Sequence, residues 1–440
     1  MHFVRLRPVC RRFASGASRR ACLVAMGLLA AAVAVTLPTW SAPLRTQRES
    51  RGVVVMKLPA VRHAAVRAGQ PLPVPTTAFG EPLPGLTAAQ RNDFSVGLGR
   101  FLNAESPQSG LGPIFNNNSC ISCHGQPAPG GGSPIRVTRF GQLTGTTFDP
   151  LEALGGSLQQ VRAIDPQALE VVPTQANVVA QRLSTPLFGL GLIEAIPDET
   201  ILANAERQKS LGLDGVPSLV NDVATGKVRV GRFGWKAQQA TVLAFSADAF
   251  VNEMGITNRL FPAENAPNGN AALLARFDRV ADPEDRADPV SGKADIDVVA
   301  EFLRYLAAPP SVQFTPTALQ GRQTFEQIGC GGCHMAQMTT GPSDIAALNF
   351  KAVYLYSDLL LHDMGSLGDG IVQGTAGPRD MRTAPLWGLR ARAPYLHDGR
   401  AGSVDRAIQL HDGEALPARN AYQALTATQR QQLLEFLGSI

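Results

Sequence analysis

Two short cysteine motifs carry the most specific chemistry in this 440-residue sequence. Both have the pattern Cys-x-x-Cys-His, at positions 120–124 (the first motif) and 330–334 (the second motif). This pattern is typical of c-type haem attachment, in which each cysteine sulfur bonds one vinyl group and the histidine is the proximal iron ligand. The sequence therefore predicts two covalently bound haem c groups. The residues that would hold them are Cys120, Cys123, His124, Cys330, Cys333 and His334.

Two other kinds of site use paired cysteines. The two pairs could together form a four-thiolate zinc site, and one pair alone could be a thioredoxin-like redox motif. However, a histidine follows both pairs, the motifs are far apart in the sequence, and neither lies in a βαβ pattern. Haem attachment is therefore the preferred interpretation.

The N-terminal residues 1–42 predict an export signal. Six arginines and no acidic residue occur there, an apolar run covers 21–35, and small residues follow at Ser41 and Ala42. Cleavage would release the protein into the periplasm, and an uncleaved membrane anchor is the alternative. Because the formal net charge of +4 comes from this segment, the rest of the chain has no basic excess for binding nucleic acid.

The remaining chain is expected to fold around the two motifs. A hydrophobic content of 44% supports a sizeable core, and 43 glycines and 32 prolines indicate many loops. We expect a mainly α protein with two c-type cytochrome domains, long irregular loops and few short strands. The expected divisions are an N-terminal arm at 43–85, an N-terminal haem domain at 86–280 and a C-terminal cytochrome c haem domain at 281–440.

Helical spacing and capping residues predict the elements next to the motifs. One helix should begin at Thr87 before the first motif, and another at Thr315 before the second. Further helices are predicted over 198–208 with Asp198 as N-cap, over 236–250, over 296–306 and over 426–437.

A weak internal repeat also follows the motifs. The segment 183–190 resembles the segment 382–389, and each comes some 50–60 residues after its own motif. Coincidence in a Pro/Gly turn is the alternative explanation. The matching order favours duplication of one haem unit.

Several segments resemble the di-haem oxidoreductase family, whose relatives include bacterial di-haem cytochrome c peroxidases and the di-haem enzyme that matures tryptophan tryptophylquinone. These segments are 115–120, 187–195, 231–237, 252–257, 356–365 and 393–415. The resemblance covers about residues 86–440. It is specific to the family but not to a substrate.

The N-terminal haem is expected to have an open or weakly held sixth position. No histidine occurs between His124 and His334, where many di-haem peroxidases place a distal one, and Met254 or a remote side chain is the alternative ligand. An open iron is what a peroxide needs in order to bind. The resemblance places Glu253 at the distal carboxylate of the peroxidases, so Glu253 is the predicted general acid/base. Glu194 is the reserve candidate, with a buried structural role as its other interpretation.

The C-terminal haem is expected to have a second axial ligand. His411 matches the position where the peroxidases carry a distal methionine, so the resemblance implies a bis-histidine haem of lower potential. Met364 and His362 are the alternative ligands. His397 is expected to contact the haem or its propionates rather than to bind the iron.

The resemblance has two further implications. It suggests that Trp235 relays electrons between the haems, with a core or interface tryptophan as an equal alternative. Relatives also hold Ca²⁺ between their domains, so Ca²⁺ is a further expected cofactor, although no ligand set in the sequence identifies its site.

Together these features predict a periplasmic di-haem c-type oxidoreductase with peroxidase-like chemistry. Electrons from a donor cytochrome or cupredoxin would enter at the C-terminal haem, and peroxide or another small oxidant would be reduced at the N-terminal haem. The alternatives are a non-enzymatic electron carrier and a long-range oxidant of a partner protein, and the chain could form a homodimer. Thiol chemistry finds no support, because haem attachment would use every cysteine beyond residue 42.

Overall fold

The structure, a computed structural model, describes residues 77–440. The predicted export signal and most of the predicted arm lie outside the described residues. Within 77–440, no helix is long and apolar enough to cross a membrane.

Eleven α-helices occur in the described part of the chain. They are α1 (Ala88–Leu102), α2 (Cys120–Cys123), α3 (Leu190–Glu194), α4 (Asp198–Lys209), α5 (Val242–Met254), α6 (Ala271–Phe277), α7 (Asp295–Tyr305), α8 (Pro316–Gln327), α9 (Val404–Gln409), α10 (Leu416–Gln423) and α11 (Ala427–Ser439).

Twelve strands, most of them very short, connect the helices of this region. They are β1 (Ile114–Phe115), β2 (Arg136–Thr144), β3 (Thr147–Asp149), β4 (Leu158–Gln159), β5 (Arg162–Ala163), β6 (Val178–Leu183), β7 (Ser218–Asp222), β8 (Lys227–Gly231), β9 (Met338–Thr339), β10 (Ala352–Val353), β11 (Leu361–Asp363) and β12 (Asp380–Arg382). Strand β2 pairs with β3, β4 and β6 in one antiparallel sheet, and the others form two-stranded antiparallel pairs.

The expected fold class is confirmed only in part. The structure leans towards helix, but it is mixed, and its short strands are many rather than few. Most strands span two to six residues, which is too short for an alternating apolar pattern to distinguish them from loops. The proposed division into two cytochrome domains stays a prediction.

Side-chain capping explains why the helices beside the motifs begin where the sequence predicts. The Thr87 hydroxyl accepts the Gln90 N–H at 3.2 Å, and the Gln90 side chain accepts the Thr87 N–H in return. Helix α8 begins the same way, with Thr315 as the cap and Pro316 in the first turn, where no N–H is needed. Thr426 caps α11.

One predicted N-cap and one predicted helix start are wrong because tertiary contacts intervene. Asp198 is the first helical residue of α4 rather than its N-cap, since its carboxylate is bound by Arg229 and Arg232. The helix predicted from 236 begins only at Val242, capped by Thr241, and it continues to Met254. Residues 234–237 instead form a turn, and Gln239 pairs with Phe233 in an isolated β-bridge.

Each motif is preceded by a helix that packs on a partner helix. Before the first motif, α1 packs on α7 through Phe94 and Phe101, whose rings lie 5.1 and 4.9 Å from that of Phe302. Before the second motif, α8 packs on α11, where a side chain at Gly321 would overlap the Gln432 carbonyl. Helix α7 therefore packs on the helix that precedes the first motif, and the predicted domain boundary at 280/281 stays a prediction.

Candidate functional site

The two motifs close in the same way. The first forms helix α2, and the second forms a 3₁₀ turn at Cys330–Gly332. In each, the histidine N–H donates to the carbonyl of the first cysteine, His124 to Cys120 at 3.0 Å and His334 to Cys330 at 2.9 Å. This single turn brings the three chemically active residues of each motif together.

In both motif histidines, Nδ1 is held by a hydrogen bond and Nε2 can bind a metal. His124 Nδ1 donates to the Gly131 carbonyl at 3.1 Å, and His334 Nδ1 donates to the Tyr356 carbonyl at 3.0 Å. Burial lowers the pKa of each imidazole to about 4. The rings are therefore neutral at pH 7, and Nε2 keeps a lone pair for a metal.

A second imidazole faces the second motif. The ring centroids of His334 and His411 are 6.5 Å apart, and His411 Nδ1 donates to the Ala407 carbonyl at 2.8 Å. Burial lowers the pKa of His411 as well. Two imidazoles on opposite sides of one metal, each with a metal–nitrogen bond of about 2 Å, have ring centroids roughly 6 Å apart. The observed distance fits one shared metal.

A mostly apolar cavity adjoins this histidine pair. It measures about 1430 Å³, its open mouth included. Its lining includes Cys330, Cys333, His334, His411, Met364, His362, His397, Trp235, Arg382 and Arg392. The cavity, the two cysteines and the paired imidazoles together fit a haem at the second motif.

Three other residues of this cavity were named from the sequence, and they differ in whether an atom is available to bind iron. His362 is buried, with Nε2 3.0 Å from an Asp358 oxygen and Nδ1 2.9 Å from a Glu414 oxygen. Burial opposes its charge, but these hydrogen bonds raise the pKa of His362 to about 12, so neither nitrogen has a lone pair for iron. Met364 and His397 line the cavity, and His397 lies edge-on to Trp235 at 6.2 Å.

The first motif has a carboxylate beside it. Glu253 lies in the last turn of α5, and its side chain accepts a hydrogen bond from Asn116 Nδ2 at 2.8 Å. The Glu253 carbonyl accepts the N–H groups of Asn116 and Asn117, and Asn117 Nδ2 lies 3.9 Å from Cys123 Sγ. These contacts place Glu253 and the first motif together.

Burial raises the pKa of Glu253, and the charge of Arg139 partly opposes this increase. The amide of Asn116 is held at both ends, because its Oδ1 also accepts the Val161 N–H at 3.2 Å. A carboxyl with a raised pKa and a fixed hydrogen-bond donor is suited to proton transfer near neutral pH. Met254, the alternative ligand, is 5% exposed in the core against which Cys120 packs.

The reserve candidate, Glu194, has structural partners. One of its oxygens accepts the Val242 N–H at the start of α5 at 2.7 Å, and the other accepts Arg304 Nε at 2.7 Å. Glu194 therefore joins the N-terminus of α5 to α7, whereas Glu253 lies at the opposite end of α5.

Trp235 lies where the two repeated segments meet. Its Nε1 donates to the Leu183 carbonyl of the first segment at 2.7 Å, and its ring lines the cavity at the second motif. The first segment also contacts the first motif, since the Ser184 hydroxyl donates to the Cys123 carbonyl at 2.8 Å. Trp235 is 8% exposed. Its role as an electron relay stays a prediction.

Three carboxylates offer oxygens for the expected Ca²⁺. The side-chain oxygens of Glu264, Asp282 and Glu284 lie within 4.8 Å of one another. Burial, with the charges of Glu284 and Asp282, raises the pKa of Glu264 to about 9. Neither Glu264 oxygen has a hydrogen-bond partner within residues 77–440. Calcium binding stays a prediction.

Several residues of the sites were not identified from the sequence. Asn116 belongs to a family-like segment, but its contact with Glu253 spans 137 positions and has no local signal. Arg139 and Arg392 carry no motif either, and Arg382 stood out only as the first residue of a repeated segment. Only their burial and their neighbours reveal them.

Comparison with known proteins gives one family match. The family described as "Di-haem oxidoreductase, putative peroxidase" matches residues 170–440, more than half of the chain. No curated protein matches the sequence. Among solved structures, Kuenenia stuttgartiensis hydrazine synthase pressurised with xenon is 14% identical, with a TM-score of 0.38, over 89% of this chain and 100% of that one. A MauG-like protein associated with microbial copper homeostasis is 16% identical, also with a TM-score of 0.38, over 83% and 94%.

The family match includes the second motif, the repeated segments, Glu253 and His411. It supports haem as the cofactor and an oxidoreductase as the protein class, in agreement with the resemblance seen in the sequence. The chain therefore belongs to the di-haem oxidoreductase family.

Proposed function

We propose that this protein is a periplasmic di-haem c-type peroxidase that reduces peroxide to water with electrons from a small donor protein. The haems are bound covalently, one at each motif. Electrons from a cytochrome or cupredoxin enter at the C-terminal haem, and peroxide is reduced at the N-terminal haem. Each turnover consumes one peroxide, two electrons and two protons and yields two waters.

The unequal surroundings of the two motifs carry this proposal. His411 faces the motif histidine at the second motif, whereas Glu253 and Asn116 lie beside the first. A centre with two strong axial ligands is suited to electron transfer, and a centre with a free coordination position and an acid/base is suited to peroxide chemistry.

When bound, the haems supply the one-electron redox chemistry, and the protein supplies ligands, proton transfer and electrostatics. His124 and His334 hold their Nε2 atoms ready as proximal ligands through the Nδ1 hydrogen bonds to Gly131 and Tyr356. The Glu253 carboxylate takes the proton from the inner peroxide oxygen and returns it to the outer one. Asn116 orients that carboxylate.

Trp235 is proposed to connect the two centres. It contacts the first repeated segment through Leu183 and lines the cavity of the second motif. Periplasmic export rests on the predicted signal at 1–42.

The ferric spectrum of the purified protein tests the proposal. We expect two haems per chain, one low-spin and one with a high-spin component that responds to stoichiometric peroxide. Two purely low-spin haems that do not respond to peroxide would contradict the enzyme and favour an electron carrier.

Replacing the proposed acid/base tests the mechanism. We expect Glu253→Gln to lower peroxide turnover by about 10²–10⁴-fold, the range for loss of a general acid/base. In the wild type, turnover should fall as pH drops through a midpoint above the ordinary carboxyl range, because burial raises the pKa of Glu253. Glu253→Gln should lack this acid limb. Glu194→Gln is the matched control, and it should keep both the turnover and the pH profile.

A further inference from the structure

Two arginines in the cavity of the second motif, Arg382 (buried) and Arg392 (half-buried), have no carboxylate partner. Arg382 is at the end of β12 and Arg392 follows a turn ten residues later, and both line the cavity with His334 and His411. We name Arg382 and Arg392 the arginine pair. Among the described residues, no carboxylate lies within ion-pair distance of either guanidinium.

Backbone carbonyls hold the arginine pair in place but do not balance its charge. Arg382 Nε donates to the Gly234 carbonyl at 2.8 Å, and its Nη1 donates to Thr383 at 3.2 Å. Arg392 Nη1 lies 3.4 Å from the Pro385 carbonyl, and its guanidinium lies 5.5 Å from the centre of the Trp235 ring. Two positive charges therefore share one low-dielectric region.

Three other buried cations in the described part of the chain are each paired with a carboxylate. Arg182 and Lys236 both bind Asp369, at 2.6 and 3.1 Å, and Arg232 binds Asp198. Burying an uncompensated charge costs several kcal/mol, so buried charges are normally paired. For the arginine pair, burial lowers the pKa of each guanidinium to about 10, and the charge of Arg392 further lowers that of Arg382. The charge of Asp358 offsets part of this effect at Arg382, but no carboxylate pairs with either guanidinium.

We propose that the arginine pair binds the propionate carboxylates of the C-terminal haem. A haem carries two carboxylates, which match two guanidinium groups in charge, and arginine binds carboxylates through paired N–H donors. The inference rests on the proposed haem attachment at the second motif. The arginine pair then neutralises the haem edge inside the cavity and favours the reduced iron.

The midpoint potential of the low-spin haem tests this inference. At a fixed electrode potential, Arg382→Gln and Arg392→Gln should each lower the ferrous-to-ferric ratio by about tenfold, which corresponds to a potential about 59 mV more negative for a one-electron couple. Arg382→Lys and Arg392→Lys should recover much of the loss, because they keep the charge. Arg390→Gln, which removes an exposed arginine two positions away, should leave the potential unchanged.

Bound haem per chain, measured in every variant, separates the outcomes. Glutamine variants with full haem content and the wild-type potential would overturn the inference while leaving the proposed function intact. Equal shifts in the lysine and glutamine variants would overturn it too, because packing rather than charge would be the cause. If Arg382→Gln does not fold, Arg392→Gln decides the question, since it gives up only one long hydrogen bond. A wild type without covalent haem would overturn the proposed function itself.

Discussion

The two motifs have the same internal hydrogen bonds, but different side chains lie across from them. On the motif side, both use the same histidine–cysteine backbone bond and the same Nδ1 hydrogen bond to a carbonyl. Beyond the motif, the second has His411 and the arginine pair, whereas the first has Glu253 and Asn116. In the proposed function, identical attachment chemistry would serve two roles, because residues remote in sequence decide what lies near each motif.

Removing the cysteines of one motif at a time is the most severe test of this comparison. We expect Cys120→Ala with Cys123→Ala to leave one low-spin haem, and Cys330→Ala with Cys333→Ala to leave the haem that responds to peroxide. Bound haem and ferric spectra measure both. If either double variant still binds two haems, the motifs are not the attachment sites.

Replacing the facing imidazole should make the two centres more alike. His411→Ala should convert the low-spin haem to a high-spin form, because one axial ligand is lost. His411→Met should keep it low-spin but raise its potential, since thioether ligation favours reduced iron. His397→Ala, which changes another histidine of the same cavity, is the control for axial ligation and should leave the haem low-spin. A low-spin His411→Ala protein would move the ligand assignment to Met364.

The carboxylates at the two ends of α5 should have different roles, a structural one for Glu194 and a chemical one for Glu253. Glu194→Gln should lower the free energy of unfolding by about 2 kcal/mol, because it weakens charged hydrogen bonds to Val242 and Arg304. Glu301→Gln, which disrupts a more exposed ion pair with Lys293, should cost less than about 1 kcal/mol. Chemical denaturation measures both. Equal losses would contradict the structural role of Glu194.

Measured over one pH unit, the smallest expected effect concerns Glu264. Between the ordinary carboxyl pKa and about 9, the folded chain keeps a proton that the unfolded chain has released, so stability should fall as pH rises through that window. Glu264→Gln should reduce this slope, by up to about 1 kcal/mol per pH unit. Added Ca²⁺ should raise the melting temperature of the wild type but not of the variant. An unchanged slope in Glu264→Gln would show that another group titrates there.

The sequence determined the parts whose physics is local. One turn of chain relates the cysteines and histidine of each motif, so their spacing alone predicts the haem chemistry. Capping also acts within one turn, and Thr87, Thr315 and Thr426 each begin the helix predicted for them. The family was identified for the same reason, because its segments are short contiguous patterns.

Only the tertiary structure decided what lies across from each motif. His411 is 77 positions from His334 and Asn116 is 137 from Glu253, and no periodicity or spacing rule connects residues so far apart. The prediction of Asp198 as an N-cap was wrong for the same reason, because arginines distant in the sequence bind its carboxylate. The arginine pair was invisible in the sequence, since an arginine without a partner differs from a paired one only by its neighbours in the fold.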